Sequence, residues 1–475
     1  MCSPVSPAPH NKVTFHVMVM TFFSILSLLA LGQCLGEWHT MPTAGIMGWL
    51  TATIGFLALA VCARPGPEGE KLAKQAIPLA LACVLGMFAG IQLTTAGFAY
   101  RSDIAIWLLL CGLAVLYAAR KGVPTLHECR TRVLPVVMLG FLVVSVRTIR
   151  NDPRPLSDVF MLQQASAEAM VKLRNPYTAS IPNIYGPGSP YYIPLTRNGR
   201  TLYGLGYPPL IAVLNLPAYL LTGDVRYGQM LALLISCGLL ALMRTSWLAL
   251  CGGVLLLINP FSLPMIEYAW IEPTVILILC LTLYSVSRYP KAVPYLFGLF
   301  LSSKQTNLAI LPLAWMLVDR AHGWKGLLNF LGKSLAVTVA ISLPFYLWNP
   351  DAFMLSLVTV QLHVPMRADL ISFAAYAASK GWFVLPSWFS FLYLPIGIYL
   401  GLWKTRRSEA GFAAASAMLL IPFFAFSKQG SPNYFFLGFG MLCCALALTN
   451  VSVPPGRSRR PTDPDLLEHP TRTSD

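Results

Sequence analysis

Long apolar runs separated by short basic loops make up most of this chain, and one polar stretch from Arg147 to Tyr207 interrupts them. Apolar runs fall near 14–35, 44–63, 76–99, 104–119 and 133–147 before that stretch. After it they recur near 208–222, 226–243, 247–260, 272–287, 292–303, 306–318, 334–348, 388–403, 411–427 and 433–449. A hydrocarbon core of roughly 30 Å takes about 20 residues of helix to cross. The pattern predicts an all-α, polytopic helical membrane protein with about 13–15 membrane segments, several of them short enough to be broken or tilted. A second polar interval at 349–387 predicts a second long loop. From Ser157 the pattern changes to helical spacing, with Val159, Leu162, Ala165, Ala169 and Leu173 marking a helix that lies along the membrane surface.

Composition agrees with the membrane class. The chain has 475 residues, 56% of them hydrophobic and 11% charged, against about 25% charged in a soluble domain. A net charge of +15 would suggest nucleic acid in a soluble protein. Here the basic residues sit in short loops between spans, as cytoplasmic loops require, and nucleic acid is not an expected partner. Arg64/Lys71/Lys74 and Arg120/Lys121/Arg130/Arg132 mark inner loops, as do Arg244, Arg288/Lys291, Arg320/Lys325/Lys333, Lys404/Arg406/Arg407 and Arg457/Arg459/Arg460. With the N-terminus inside, 148–207 and 349–387 both fall on the extracytoplasmic side of the cell membrane. Seven candidate spans then separate two external loops, an odd number, so one cannot cross. The run at 208–222, short and interrupted by Pro217, is the expected exception. The domain reading is a four-helix extension at 1–132, a core at 133–449 and a disordered cytoplasmic tail at 450–475. The first run, without a small-x-small site before Glu37, reads as an uncleaved helix.

Candidate chemistry gathers in the polar stretches. The eleven cysteines and seven histidines show no metal-ligand spacing, so no metal and no cofactor is expected. Asp158 follows Ser157, an N-cap residue, and sits at the outer end of the surface helix. Its charge alone would suit the helix dipole, and Asp152 is the competing carboxylate. Asn175-Pro176-Tyr177 ends that helix. A tract with Tyr185, Tyr191, Tyr192, Tyr203 and Tyr207 follows, suited to a bilayer interface or to stacking on sugar rings. Lys304-Gln305 and Lys428-Gln429 place cations inside apolar runs, a functional signal by default, although a lysine near a helix end can snorkel. Glu267 and Glu272, Arg367 and Asp369, and Asn433-Tyr434 complete the set expected around one external cavity.

Together these residues resemble the GT-C superfamily of membrane glycosyltransferases, most closely the polyprenyl-phosphate-mannose-dependent mannosyltransferases. The likeness rests on Asp158, then Leu173-Arg174-Asn175-Pro176-Tyr177, then Tyr207-Pro208-Pro209-Leu210. LSSKQTNLAILPL, WNPDAFMLSLVTVQLHVPMRADLIS and SKQGSPNYFFL follow in the family's order, so the resemblance covers about 133–449. It departs in having four extra apolar runs ahead of the acidic loop, which family members usually carry after their first helix. It implies an inverting transfer of a sugar, mannose in the closest relatives, from a polyprenyl-phosphate donor to the hydroxyl of a glycan, lipid or protein acceptor. Asp158 would be the catalytic base, and Lys304, Lys428 and Arg367 would hold the donor phosphate. Tyr177, Tyr207, Glu267, Glu272, Gln305, Asp369, Asn433 and Tyr434 would line the substrate site. Two other classes fit the composition: a secondary transporter, which should show internal repeats that this chain lacks, and a ligase or non-catalytic protein of lipid-linked glycan assembly.

Overall fold

Fourteen α-helical elements, one long 3-10 helix and one small hairpin account for residues 125–449, which the computed structural model describes apart from 188, 190–192, 260, 368 and 369. The expectations for the runs before residue 120, for Tyr191, Tyr192 and Asp369, and for the 450–475 tail lie outside the described residues. Helix α1, Leu126–Asn151, starts at a capping box in which Thr125 and Glu128 satisfy each other's backbone N–H groups. Ser157, the N-cap of α2 (Asp158–Val171), accepts from the Phe160 N–H. The apolar runs then become α3 (Pro209–Thr222), α4 (Arg226–Met243), α5 (Trp247–Ile258), α6 (Ser262–Glu267), α7 (Glu272–Arg288) and α8 (Val293–Leu301). A 3-10 helix, Gln305–Met316, follows α8. Next come α9 (Gly323–Trp348), α10 (from Pro350, continuous to His363), α11 (Phe373–Ser379), α12 (Phe389–Lys404), α13 (Glu409–Phe426) and α14 (Pro432–Leu448). The fold is all-α and polytopic: four of these helices are long and apolar enough to cross a membrane, and four shorter apolar helices accompany them.

Helices α4, α5, α7, α13 and α14 pack on one another and form the centre. Close approach is possible because α5 carries Gly252-Gly253. A Cβ at Gly252 would stand 2.8 Å from the Cys443 carbonyl oxygen of α14, and one at Gly253 2.6 Å from the Cys237 carbonyl oxygen of α4. Small residues at such crossings are how helices associate where lipid removes the hydrophobic drive. In α13 the apolar window is 78% buried, whereas in α9 it is 17%, so α13 is central and α9 peripheral.

The chain between α1 and α4 leaves and returns at one point. Arg226, at the first position of α4, has a fully buried guanidinium. It donates to the Asp152 carbonyl at 2.7 Å and the Ile149 carbonyl at 3.2 Å, and pairs with Asp224 at 2.6 Å. Its guanidinium also lies over the Phe160 ring at 4.7 Å. Between these points α2 and α3 run antiparallel. Phe160 and Ala167 pack with Val225 and Tyr219 at one end, and Met170 with Ala212 and Leu205 at the other. Gly223, at a left-handed φ of 78°, closes α3. The chain thus runs out along α2 and back along α3 to the point where α1 ends.

Three expectations change. The buried face of α2 is Phe160, Leu162, Gln163, Ser166 and Ala167, while Leu173 is 85% exposed and in the left-handed region. A polar network around Gln163, described below, turns the helix away from the apolar face that its spacing suggested. The 349–387 interval contains α10 and α11 rather than an open loop. The run expected at 334–348 begins at Gly323, eleven residues earlier, because Lys325 and Lys333 are compatible with the first turns of a helix reaching past the hydrocarbon. The tyrosine tract folds back through a hairpin, Thr196–Arg197 with Arg200–Thr201. Asn198 and Gly199 at φ 51° and 73° make its turn, the Asn-Gly signature of tight hairpins.

Removing the Arg226 guanidinium would leave Asp224 without its ion pair and two helix-end carbonyls without this donor. Arg226→Met is expected to cost about 3–5 kcal/mol of stability, read as a lower thermal midpoint of the detergent-solubilised protein. A midpoint equal to that of a surface variant such as Arg197→Met would contradict this anchoring role.

Candidate functional site

Glu272 opens α7, where the helix dipole favours a carboxylate, and it is fully buried. Its Oε1 accepts from the Lys304 ammonium and from Asn433 Nδ2 at 2.8 Å. One oxygen thus joins α7, the extended turn between α8 and the 3-10 helix, and the first turn of α14. The Lys304 ammonium also lies 4.1 Å above the Tyr434 ring. Tyr434 in turn stacks on Phe424 at 4.6 Å and donates to Gln429 Oε1 at 3.2 Å. Glu272 Oε2 is buried with no hydrogen-bond partner among the described residues.

Asp158 stands at the first position of α2, partly accessible to solvent. Its Oδ1 accepts from the Val159 N–H at 2.9 Å and from the Tyr185 hydroxyl at 3.4 Å. Burial pushes its carboxyl above the usual carboxylate range. The Val159 N–H, the Arg367 charge and the Tyr185 hydroxyl pull the other way, and burial dominates. Tyr203, whose hydroxyl is raised by burial and then by Asp158, lies on the same side.

Tyr207 connects the two groups of residues. It lies within electrostatic reach of Glu272, Tyr434 and Asp158, and Arg367 lies within reach of both Asp158 and Tyr434. The Tyr177 hydroxyl donates to the Tyr207 carbonyl at 2.9 Å, and Gln305 Nε2 to the Gly206 carbonyl at 2.8 Å. Gly204 is required here, since a Cβ would come within 2.6 Å of the Pro176 and Tyr177 carbonyl oxygens. Lys428 Nζ donates to the Val364 carbonyl at 2.9 Å and the Leu362 carbonyl at 3.4 Å, gripping the segment that leads to Arg367. Asp158, Arg367, Tyr207, Tyr177, Glu272, Lys304, Gln305, Asn433 and Tyr434 therefore converge, with Lys428 as a support. Glu267 belongs elsewhere: with Asp152 it faces Tyr268, whose hydroxyl is pushed up to about 12 by burial first and by these two carboxylates next.

The residues that sequence reasoning missed hold the site from behind. Thr274 Oγ1 donates to Gln229 Oε1 at 2.9 Å, Gln229 Nε2 to Asn215 Oδ1 at 3.2 Å, and Asn215 Nδ2 to Gln163 Oε1 at 2.7 Å. Gln163 Nε2 ends the chain on the Ala269 carbonyl. All four side chains are buried, so the relay ties α2, which carries Asp158, through α3 and α4 to α7, which carries Glu272. Their signal in the sequence was the isolated amide in an apolar run, as at Asn215 in PLIAVLNLPAYL.

Breaking the buried pair from one side should be worse than removing it. Lys304→Met strands Glu272 and is expected to cost about 3–5 kcal/mol. The double change Lys304→Met with Glu272→Leu should regain most of it, as read by thermal midpoints in a double-mutant cycle. Simple additivity of the two single losses would show that the pair does not couple these helices.

No protein-family model matches the chain, and no curated protein does. Among solved structures, it is similar to the crystal structure of ArnT from Cupriavidus metallidurans bound to undecaprenyl phosphate, with a TM-score of 0.42 and 15% identity. That match covers 66% of this chain and 59% of ArnT.

Proposed function

We propose that this protein is an inverting glycosyltransferase that moves a sugar from a polyprenyl-phosphate donor to an acceptor hydroxyl on the extracytoplasmic side of the membrane. The observation that carries this reading is convergence. Motif residues separated by more than 250 positions, from Asp158 to Tyr434, meet around Tyr207. A mannosyl donor is the first to test, on the motif resemblance above. A glycan, a lipid or a protein could supply the hydroxyl.

In this scheme the acceptor oxygen attacks the anomeric carbon while the carbon–oxygen bond to phosphate breaks. The proton passes to Asp158, and the polyprenyl phosphate leaves with the bonding pair. A carboxyl raised above its ordinary range by burial is a stronger base once ionised, which suits proton transfer from an alcohol. Arg367, within reach of Asp158 and partly accessible, is the cation best disposed to meet the developing phosphate charge. Lys304 and Lys428 support the site from behind, Lys304 through Glu272 and Lys428 through the backbone before Arg367. Glu272, Asn433, Tyr434, Tyr177 and Gln305 shape the pocket wall.

Radiolabelled transfer from mannosyl-phosphoryl-polyprenol, in membranes with and without this protein, tests the activity. Asp158→Asn should lower turnover by about 10²–10⁴-fold with donor binding retained. Because the folded pKa is raised, activity should fall as pH drops through a value above about 3.9. Arg367→Gln should move that limb to still higher pH, since it removes a charge that favours the carboxylate. An active Asp158→Asn with an inactive Asp152→Asn would transfer the base role to Asp152. Full activity in both would refute the proposed reaction.

A further inference from the structure

Buried hydroxyls in the central helices turn back on their own helix. Ser236 of α4, Thr282 of α7 and Ser416 of α13 each donate to the carbonyl four residues earlier, at 2.7–2.8 Å, a common arrangement for serine and threonine inside a helix. Ser356 of α10 departs from it. Its side chain is fully buried, yet its hydroxyl accepts from the Gly204 N–H at 3.0 Å and donates to the Tyr177 carbonyl at 3.5 Å. Those partners lie 152 and 179 positions away in the chain. Ser356 also sits in a single π turn, Leu355–Thr359, closed by the Val360 N–H on the Leu355 carbonyl. Single π turns inside α-helices are frequent at functional sites.

Around Ser356 the 148–207 and 349–387 stretches interlock residue by residue. Tyr203 joins Leu162 of α2 and Val360 of α10 in one apolar cluster, and Leu205 joins Tyr177 and Leu357 in another. Gly204, between them, turns its N–H to Ser356. The Tyr177 ring lies edge-on to Phe345 of α9 and Phe353 of α10, at 6.4 and 4.9 Å. Asn175 Nδ2 donates to the Phe345 carbonyl at 3.5 Å, so the Asn175-Pro176-Tyr177 turn is seated in the corner between α9 and α10. Apolar contacts are non-directional and would tolerate a slide of α10 over this surface. The Ser356 hydrogen bond does not, because a slide would leave the buried Gly204 N–H unpaired.

We propose that Ser356 is a positioning residue: through Gly204 and Tyr177 it fixes the register of α10, and so sets where Arg367 stands relative to Asp158. The inference rests on the roles given to Asp158 and Arg367 above. Ser356 itself is fully buried and meets no substrate. Lys428 ties the far end of α10 through the Leu362 and Val364 carbonyls, and Ser356 ties its middle.

Asp158 reports the register directly. Tyr185, Tyr203, Tyr207 and Arg367 face it, and of these Arg367 is the one that follows α10. The carbonyl stretch of protonated Asp158, assigned by its loss in Asp158→Asn, can be titrated by infrared difference spectroscopy on the detergent-solubilised full-length protein. Moving Arg367 away removes a charge that favours the carboxylate. Ser356→Ala should therefore raise the titration midpoint, in the same direction as Arg367→Gln, and should add no further shift in an Arg367→Gln background. Ser356→Thr, which keeps the hydroxyl, should hold the wild-type midpoint, as should Ser416→Ala, which removes a hydroxyl bound within its own helix. Ser356→Cys, which fills the same space with a weak hydrogen-bonding group, should give an intermediate shift and keeps the test available if the alanine variant does not fold. Turnover of mannosyl-phosphoryl-polyprenol should fall by about 10- to 100-fold in Ser356→Ala and recover in Ser356→Thr. An unshifted midpoint in Ser356→Ala, or an equal shift with and without the Arg367 charge, would overturn the proposal. A shifted midpoint in a protein that transfers no sugar would support the positioning and overturn the reaction instead.

Discussion

A carboxylate cannot be left alone in an apolar interior, where an isolated charge costs far more than any single packing contact returns. Glu272 is such a carboxylate, and the surrounding helices are arranged to answer it. α8 ends early so that Lys304, in extended backbone, can reach it. The first turn of α14 brings Asn433 to the same oxygen. The break between α8 and the 3-10 helix is thus tied to a charge on another helix, and backbone irregularity at this depth is tolerated because protein covers it.

The amide relay extends that constraint to the surface. Gln163, Asn215, Gln229 and Thr274 leave few ways for α2, α3, α4 and α7 to shift independently, since each displaced amide would lose a buried partner. Arg226 adds a second tie by holding the end of α1 and the ring of Phe160. Asp158 therefore projects from a helix whose own spacing would have allowed a loose amphipathic placement, but whose polar side is locked inward. A carboxylate held in this way is preorganised, because little of its surroundings remains to be ordered.

Structure and lipid meet along the periphery. α9 and α12 present apolar side chains outward, with Trp324, Trp382, Trp388 and Trp403 exposed at their ends or in the adjoining turns, the positions where indole rings suit the interface. The central helices, by contrast, bury nearly every residue of α13 and α14. A site supported by α7 and α14 and bordered by α2 thus has a rigid wall on one side and surface elements on the other.

Hydropathy by itself marked where apolar helices fall in much of the described region, because long apolar runs have few alternatives in lipid, but it did not show that 306–318 is a 3-10 helix or that α9 begins at Gly323. The span expected at 226–243 is the helix Arg226–Met243. The helix start at Ser157-Asp158 was equally legible, since capping is a local interaction, and parity alone required one run not to cross. The candidate residues could also be nominated one by one, because charges are rare enough in apolar sequence to stand out. Which of them meet was a tertiary matter. Lys304 pairs with Glu272 rather than standing free, Lys428 donates to carbonyls, and Glu267 sits with Asp152 beside Tyr268. The inward face of α2 was invisible to periodicity because glutamine and serine count as polar in any pattern. Gln163 becomes a core residue only when Asn215 of α3 and the Ala269 carbonyl arrive to satisfy it, and Ser166 when the Pro176 carbonyl does; that arrival is a property of the packed chain, not of the stretch that carries Gln163.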